Sequence, residues 1–311
     1  MKKRMMGDTG IEVSDVGFGA WQLGNAKDWG KMSDEEAIRL GHEAMDSGCT
    51  FFDTAPNYGL GKSEELLGKA LKGRRDQVVI STKCGHQADD NQSFESDDII
   101  ASVEDSLKRL NTDYVDSLLL HNPPFEVLDQ SSPQFDVLEK LKRQGKVRAY
   151  GASVDTGREV DQLLENTDSQ LIEVMFNVFY QEPLEAMKRA YSEDIGLIVK
   201  VPLDSGWLTG KYDTESSFTG IRSRWSEEDI RKRGELVKKV RHIIGDDTSM
   251  VKIALQYVLS YKEVSAVIPG ARNSEQLQQN LSASQSLLSD DRVQALKGLW
   301  IEEIKGQSLP W

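Results

Sequence analysis

The stretch FFDTAPNYGLGKSEELLG, Phe51 to Gly68, closes a short apolar run and opens an amphipathic one. Two readings compete for it. Gly59-Leu60-Gly61-Lys62-Ser63 resembles a phosphate-cradling loop. The pattern G-x-x-x-x-G-K-[ST] puts its first glycine where Pro56 stands, so that reading fails. The dinucleotide pattern G-x-G-x-x-G fails as well, because Gly17 and Gly19 would need a third glycine at Gln22. Gly59 and Gly61 are therefore read as sharp turns, with Lys62 and Ser63 opening a helix. What remains is a strand that ends at Asp53 and delivers Tyr58 to its mouth.

Outward from this stretch, one rhythm repeats. Short aliphatic or β-branched runs precede polar-capped amphipathic ones: SDVGFG before SDEEAIRLGHEAMDSG, CTFFDTA before KSEELLGKALKG, QVVISTKC before ESDDIIASVEDSLKRLN. It continues with DYVDSLLLHN and SPQFDVLEKLKRQG, VRAYGAS and TGREVDQLLEN, SQLIEVMFNVF and PLEAMKRAYSED. GLIVKVP with MVKIALQYVLSY, and VSAVIPG with NSEQLQQNLSAS, complete it. Ser33 and Glu36 make a capping box, and Gly48 is a helix stop. Ile99, Ile100, Val103, Leu107 and Leu110 recur at helical spacing. The strands are near-continuous apolar runs, as strands buried on both faces are.

Eight such units in 311 residues predict an α/β protein, a single (β/α)8 TIM barrel over residues 1–311. An open doubly wound sheet is the alternative. KRMMGDTGIEVS reads as an N-terminal β-hairpin able to plug the barrel bottom. SEEDIRKRGELVKKVRHIIG reads as an extra helix after strand seven, with further helix at the C-terminus.

The formal charge of −13 disfavours nucleic acid as a partner, since phosphate contacts need clustered Lys and Arg. No apolar run is long enough to span a bilayer, so no membrane partner is expected. The start MKKRMMG lacks the apolar region of a signal peptide. Cys49 and Cys84 are too few for a disulfide framework or a Cys-rich zinc site and read as buried thiols. A cytoplasmic, metal-free protein is the expectation. Oligomeric state is not legible.

In a barrel, chemistry gathers at the C-terminal ends of the strands. There stand Asp53 on strand two, Tyr58 in the loop beyond, Lys83 on strand three and His121 on strand four. Each alone reads as a cap, an ion-pair partner or packing. Lys83 is the exception, because a buried ammonium needs a partner, and Asp53 can supply it. An ammonium beside a phenol should stabilise its anion and lower the pKa of Tyr58. A tyrosine so tuned can protonate a carbonyl oxygen and recover the proton in reverse. A neutral His121 would orient the carbonyl, and a cofactor must supply the hydride.

FFDTAPNYG, STKCG, LLLHNP, GKVRAYGAS, PLDSGWLTGKY and VIPGARNSEQLQQN resemble, in order, the signatures of the aldo-keto reductases. The resemblance implies an oxidoreductase reducing an aldehyde or ketone to an alcohol with NADPH, NADH being the alternative cofactor. It implies Tyr58 as acid/base, Lys83 and Asp53 as its tuners, and His121 as the carbonyl's orienting partner. Toward the cofactor it implies Ser153, Glu173 and Lys200 near the nicotinamide. It implies Leu203, Ser205, Gly206 and Gly210 at the pyrophosphate, and Gly270, Arg272, Gln276 and Asn280 at the adenosine end. Trp21 resembles an aromatic substrate wall, with Trp29 and His86 on the same rim.

The chain departs from the family at three of these positions. Val154 replaces an asparagine, Glu173 a glutamine and Lys200 a stacking aromatic. Glu173 and Lys200 are expected to pair beneath the nicotinamide; Lys200 binding an anionic substrate is the alternative. Trp225, Trp300 and Trp311 lie in the extra loop and tail, where the family shapes specificity. Two other readings stay open: an NADP(H)-binding sensor or regulatory subunit with little turnover, as in potassium-channel β subunits, and a sugar-phosphate isomerase or lyase on the same barrel.

Overall fold

A computed structural model describes the chain except residues 130, 308 and 311, so Trp311 falls outside the described residues. Lys3–Met5 (β1) and Glu12–Ser14 (β2) pair antiparallel around the Gly7–Gly10 turn, in which both glycines have positive φ. This is the expected hairpin. Its Met6, Ile11 and Val13 join one buried cluster with Phe51, Val79, Leu119, Ala149, Leu171, Ile198 and Ala266. Those partners are inward residues of the barrel strands, so the hairpin closes the barrel bottom with apolar side chains.

Eight parallel strands follow in chain order: Phe18–Gly19 (β3), Phe51–Asp53 (β4), Val79–Cys84 (β5), Val115–His121 (β6), Val147–Val154 (β7), Leu171–Met175 (β8), Gly196–Lys200 (β9) and Ala266–Val267 (β10). Parallel bridges Val16 to Val267 and Gly19 to Gly270 join the first to the last. The Gly17 N–H donates to the Val267 carbonyl at 2.8 Å, and the Val267 N–H donates to Asp15 at 3.0 Å. The sheet thus closes into the expected (β/α)8 barrel.

The interleaved helices begin and end where their local chemistry dictates. Asp34–Asp46 starts on the Ser33/Glu36 capping box, and Gly48 follows its end at φ 85°. Lys62–Ala70 starts at Gly61, whose φ of 86° is left-handed, so the glycine pair is the turn the sequence implied. Ser96–Leu110 buries Ile99, Val103, Leu107 and Leu110. The extra helix Glu227–Ile244 is capped by Ser226 and Asp229, and Asp290–Leu299 lies near the C-terminus. Cys49 and Cys84 are buried, free thiols. Among the described residues no helix is long and apolar enough to cross a membrane.

Register places the polar end of the barrel. Phe18 pairs with Phe52, Asp53 with Ser81, Lys83 with Leu119, His121 with Ser153, and Ser153 with Glu173. Side chains alternate with period two along a strand. Phe51, Val79, Leu119, Ala149, Leu171 and Ile198 face inward near the bottom. The same faces therefore carry Asp53, Lys83, His121, Ser153, Glu173 and Lys200 toward the top.

Candidate active site

The centre of the top layer is an ammonium held by carboxylates. Lys83 Nζ lies 2.7 Å from both oxygens of Asp53 and 3.2 Å from the Thr54 carbonyl. Glu173 Oε2 is 3.3 Å from the same nitrogen, outside hydrogen-bond geometry. Burial alone would lower the Lys83 pKa, but Asp53 and Glu173 outweigh it and hold the ammonium above its ordinary range. Burial and then the charge of Glu173 raise Asp53 to about 8, against the pull of Lys83. Two carboxylates thus share one cation, and one of them takes up a proton readily.

Tyr58 stands on this layer. Lys83 Nζ is 5.4 Å from the centre of its ring. The His121 ring meets it edge-on at 5.9 Å, and Trp21 lies at 6.0 Å. The expected lowering of the Tyr58 pKa is not found. Burial raises it, Lys83 lowers it through charge and a hydrogen bond, and Asp53 and Glu173 push it up again. The net direction is upward, so Tyr58 is a protonated phenol. His121 falls well below its ordinary pKa through burial and the charges of Lys83, Lys200 and His86. It is the neutral imidazole the sequence reading expected.

The direct Glu173–Lys200 pair is not formed. Lys200 Nζ instead donates to Asn122 Oδ1 at 2.6 Å and Ser153 Oγ at 2.8 Å, and pairs with Asp155 at 2.9 Å. Ser153 donates to Glu173 Oε1 at 2.8 Å, so the two charges meet only through its hydroxyl. The reason is competition: Asp155, just beyond the end of β7, reaches across β8 to Lys200, while Lys83 reaches Glu173. Lys200 is also already neutralised, which weakens the anionic-substrate alternative.

Above this layer opens a cavity of about 640 Å³. Asp53, Tyr58, His121, Glu173 and Lys200 line one end, with Trp21, Trp29 and His86 beside them. Leu203, Ser205 and Gly206 line it too, as do Gly270, Arg272, Gln276 and Asn280, with Gly270 packed against Gln22 and Arg272 close to Gly30. Lys83, Ser153 and Gly210 do not reach the wall: Lys83 and Ser153 lie buried behind it, and Gly210 ends the Asp204–Thr209 turn at φ 74°. Val201, Asp204 and Ser205 also have positive φ, at 54°, 45° and 54°. Such strain in non-glycine residues, one of them β-branched, marks a backbone shaped for contact.

Sequence reasoning missed several wall residues. Arg222 donates to the Ser205 carbonyl at 2.8 Å and lies 4.8 Å over the Trp29 ring. Arg224 donates to Ser205 Oγ at 2.9 Å. Both come from a segment whose docking no local pattern reveals. Asn57, Asn122, Gln22 and Lys211 were also passed over. For Asn122 the signal was available in LLLHNP, next to His121. Trp225 packs with Trp207 and Phe218 at 5.7 and 5.2 Å, and Trp300 lies 6.3 Å from Tyr180.

A protonated phenol near a buried ammonium, a neutral imidazole and a long cavity suit carbonyl chemistry with an extended cofactor. Comparison with known proteins agrees. The family model described as Aldo/keto reductase family matches residues 15–301. L-galactose dehydrogenase of Arabidopsis thaliana is 33% identical over 298 residues, covering 92% of this chain and 89% of that protein. The NADH-specific methylglyoxal reductase of Escherichia coli (strain K12) is 29% identical, covering 93% and 95%. The holo form of an aldo-keto reductase from Bacillus halodurans superposes with a TM-score of 0.84 at 26% identity, covering 100% of both chains. The chain belongs to the aldo-keto reductase family, whose members are oxidoreductases that use nicotinamide cofactors.

Proposed function

We propose that this protein reduces an aldehyde or ketone to an alcohol with NADPH, Tyr58 acting as the general acid. The observation that carries the reading is the clustering of Tyr58, Asp53 and His121, with Lys83 behind them, on the wall of a cavity that Arg272, Gln276 and Asn280 also line.

The residues present fit a nicotinamide dinucleotide. Glu173 Oε2 is a buried acceptor with no hydrogen-bond partner, suited to a carboxamide N–H. Left-handed residues at Val201, Asp204, Ser205 and Gly206 bend the main chain along the cavity wall, where a pyrophosphate needs donors. Arg272 offers a planar fork on the cavity wall, suited to a 2′-phosphate. When bound, the nicotinamide supplies the hydride.

The chain's own groups do the rest. Tyr58, a protonated phenol in the free protein, donates to the carbonyl oxygen as negative charge develops there. Lys83 stabilises the tyrosinate that this leaves, and Asp53 fixes Lys83 by accepting at 2.7 Å through both oxygens. His121, being neutral, donates to the carbonyl without adding a full charge to the site. Trp21, Trp29 and His86 wall the substrate end.

The test is NADPH consumption with a reactive aldehyde such as 4-nitrobenzaldehyde. Steady turnover, abolished in Tyr58→Phe, supports the reading. Tight NADPH binding without turnover favours a sensor or regulatory subunit.

A further inference from the structure

Glu173 brings a full negative charge to a place where a neutral acceptor would serve the carboxamide equally well. Its side chain is 2% exposed, it lines the cavity, and its Oε2 has no hydrogen-bond partner. Around it the charges do not balance. Asp53, Glu173 and Asp155 are joined by contact to only two ammoniums, Lys83 and Lys200, and His121 is neutral. With Asp53 ionised, above about pH 8, three carboxylates against two ammoniums leave one unmatched negative charge.

Resting on the reductase reading above, we infer that Glu173 makes this protein hold the oxidised, cationic form of its nicotinamide cofactor more tightly than the reduced, neutral form. Hydride transfer brings the donor carbon within about 3.5 Å of the carbonyl carbon. The carbonyl oxygen is held by Tyr58 and His121, so the ring must occupy the end of the cavity that Glu173 and Lys200 line. There the two oxidation states differ by one unit of charge. The unmatched carboxylate can accept from the carboxamide of either form, but only the oxidised ring adds a charge for it to attract.

The other charged wall residues do not cancel the effect. Arg272, and Arg222, Arg224 and Lys211 of the segment that follows strand β9, line the same cavity, but none of them contacts Glu173. Phosphates, which those cations suit, carry the same charge in both forms. The differential therefore rests on the ring end alone. A unit charge several ångströms away, at the effective dielectric of a protein site, shifts relative affinity by about tenfold to a hundredfold. The same difference displaces the bound equilibrium toward oxidised cofactor and alcohol.

The test is isothermal titration of the purified protein with NADP+ and with NADPH at about pH 9, above the range in which Asp53 takes up a proton. The wild type is expected to bind NADP+ at least about tenfold more tightly. Glu173→Gln, nearly isosteric, should lower the ratio of the two affinities by about tenfold to a hundredfold. Lys200→Met, which removes a positive charge, should raise the ratio, and these opposite signs are what a packing defect would not produce. A ratio unchanged in Glu173→Gln, or moved the same way by both variants, overturns the inference and leaves the reductase reading intact. Failure of the wild type to bind either nucleotide overturns both.

Discussion

Glu173→Gln should make the ligand-free protein progressively more stable than wild type as pH rises. Asp53 is raised from the ordinary carboxylate range to about 8, by burial first and the Glu173 charge second. Its folded-state pKa therefore lies above its unfolded value. The folded state binds the proton more tightly, so the group's contribution is fully favourable below about pH 4 and is lost as pH climbs through about 8. A rise of that size corresponds to about 5–6 kcal/mol at full ionisation, taken as an upper bound. Burial is the larger cause and Lys83 opposes both, so the like charge of Glu173 is taken at the scale of a close charge pair in a protein site, about 2 kcal/mol. The glutamine keeps a partner for Ser153, and Lys83 keeps both oxygens of Asp53. Urea unfolding, followed by tryptophan fluorescence from pH 5 to 9, measures the difference. The variant should gain about 2 kcal/mol on wild type across that window. A gap that stays constant with pH, or a variant that loses ground toward pH 9, would refute the shared-cation account.

Lys83→Met leaves Asp53 and Glu173 buried without their cation and should cost about 3–5 kcal/mol in the same unfolding assay. Adding Glu173→Gln should recover part of that loss, and strict additivity of the two changes would deny that they share a site. Arg272→Ala should lower kcat/KM with NADPH by at least about tenfold and leave the value with NADH nearly unchanged. Equal losses with both cofactors would remove Arg272 from 2′-phosphate recognition.

Much of the barrel and its candidate site was legible because both follow from short-range rules. Strand periodicity alone puts Asp53, Lys83, His121, Ser153, Glu173 and Lys200 on inward faces, two residues above or one layer beyond apolar partners such as Leu119 and Ile198. Caps such as Ser33 with Glu36, and turns such as Gly59 and Gly61, are equally local. Partner choice among charges is not. Glu173 and Lys200 sit on adjacent strands, yet each found a nearer opposite charge, Lys83 for one and Asp155 for the other. The direction of the Tyr58 pKa was misread for a related reason. The ammonium was visible in the sequence, whereas burial and the second carboxylate are properties of the assembled site. Arg222 and Arg224 were missed because their places depend on how the segment after β9 folds back onto Ser205.

The central claim is that Tyr58 delivers the proton while a bound nicotinamide delivers the hydride. A single-turnover experiment with NADPH deuterated at the transferable position, followed by mass spectrometry of the alcohol, tests it directly. Wild type should place one deuterium on the former carbonyl carbon. Tyr58→Phe should bind the nucleotide with similar affinity yet form product at least about a hundredfold more slowly. Labelled alcohol appearing at the wild-type rate in Tyr58→Phe would contradict the account.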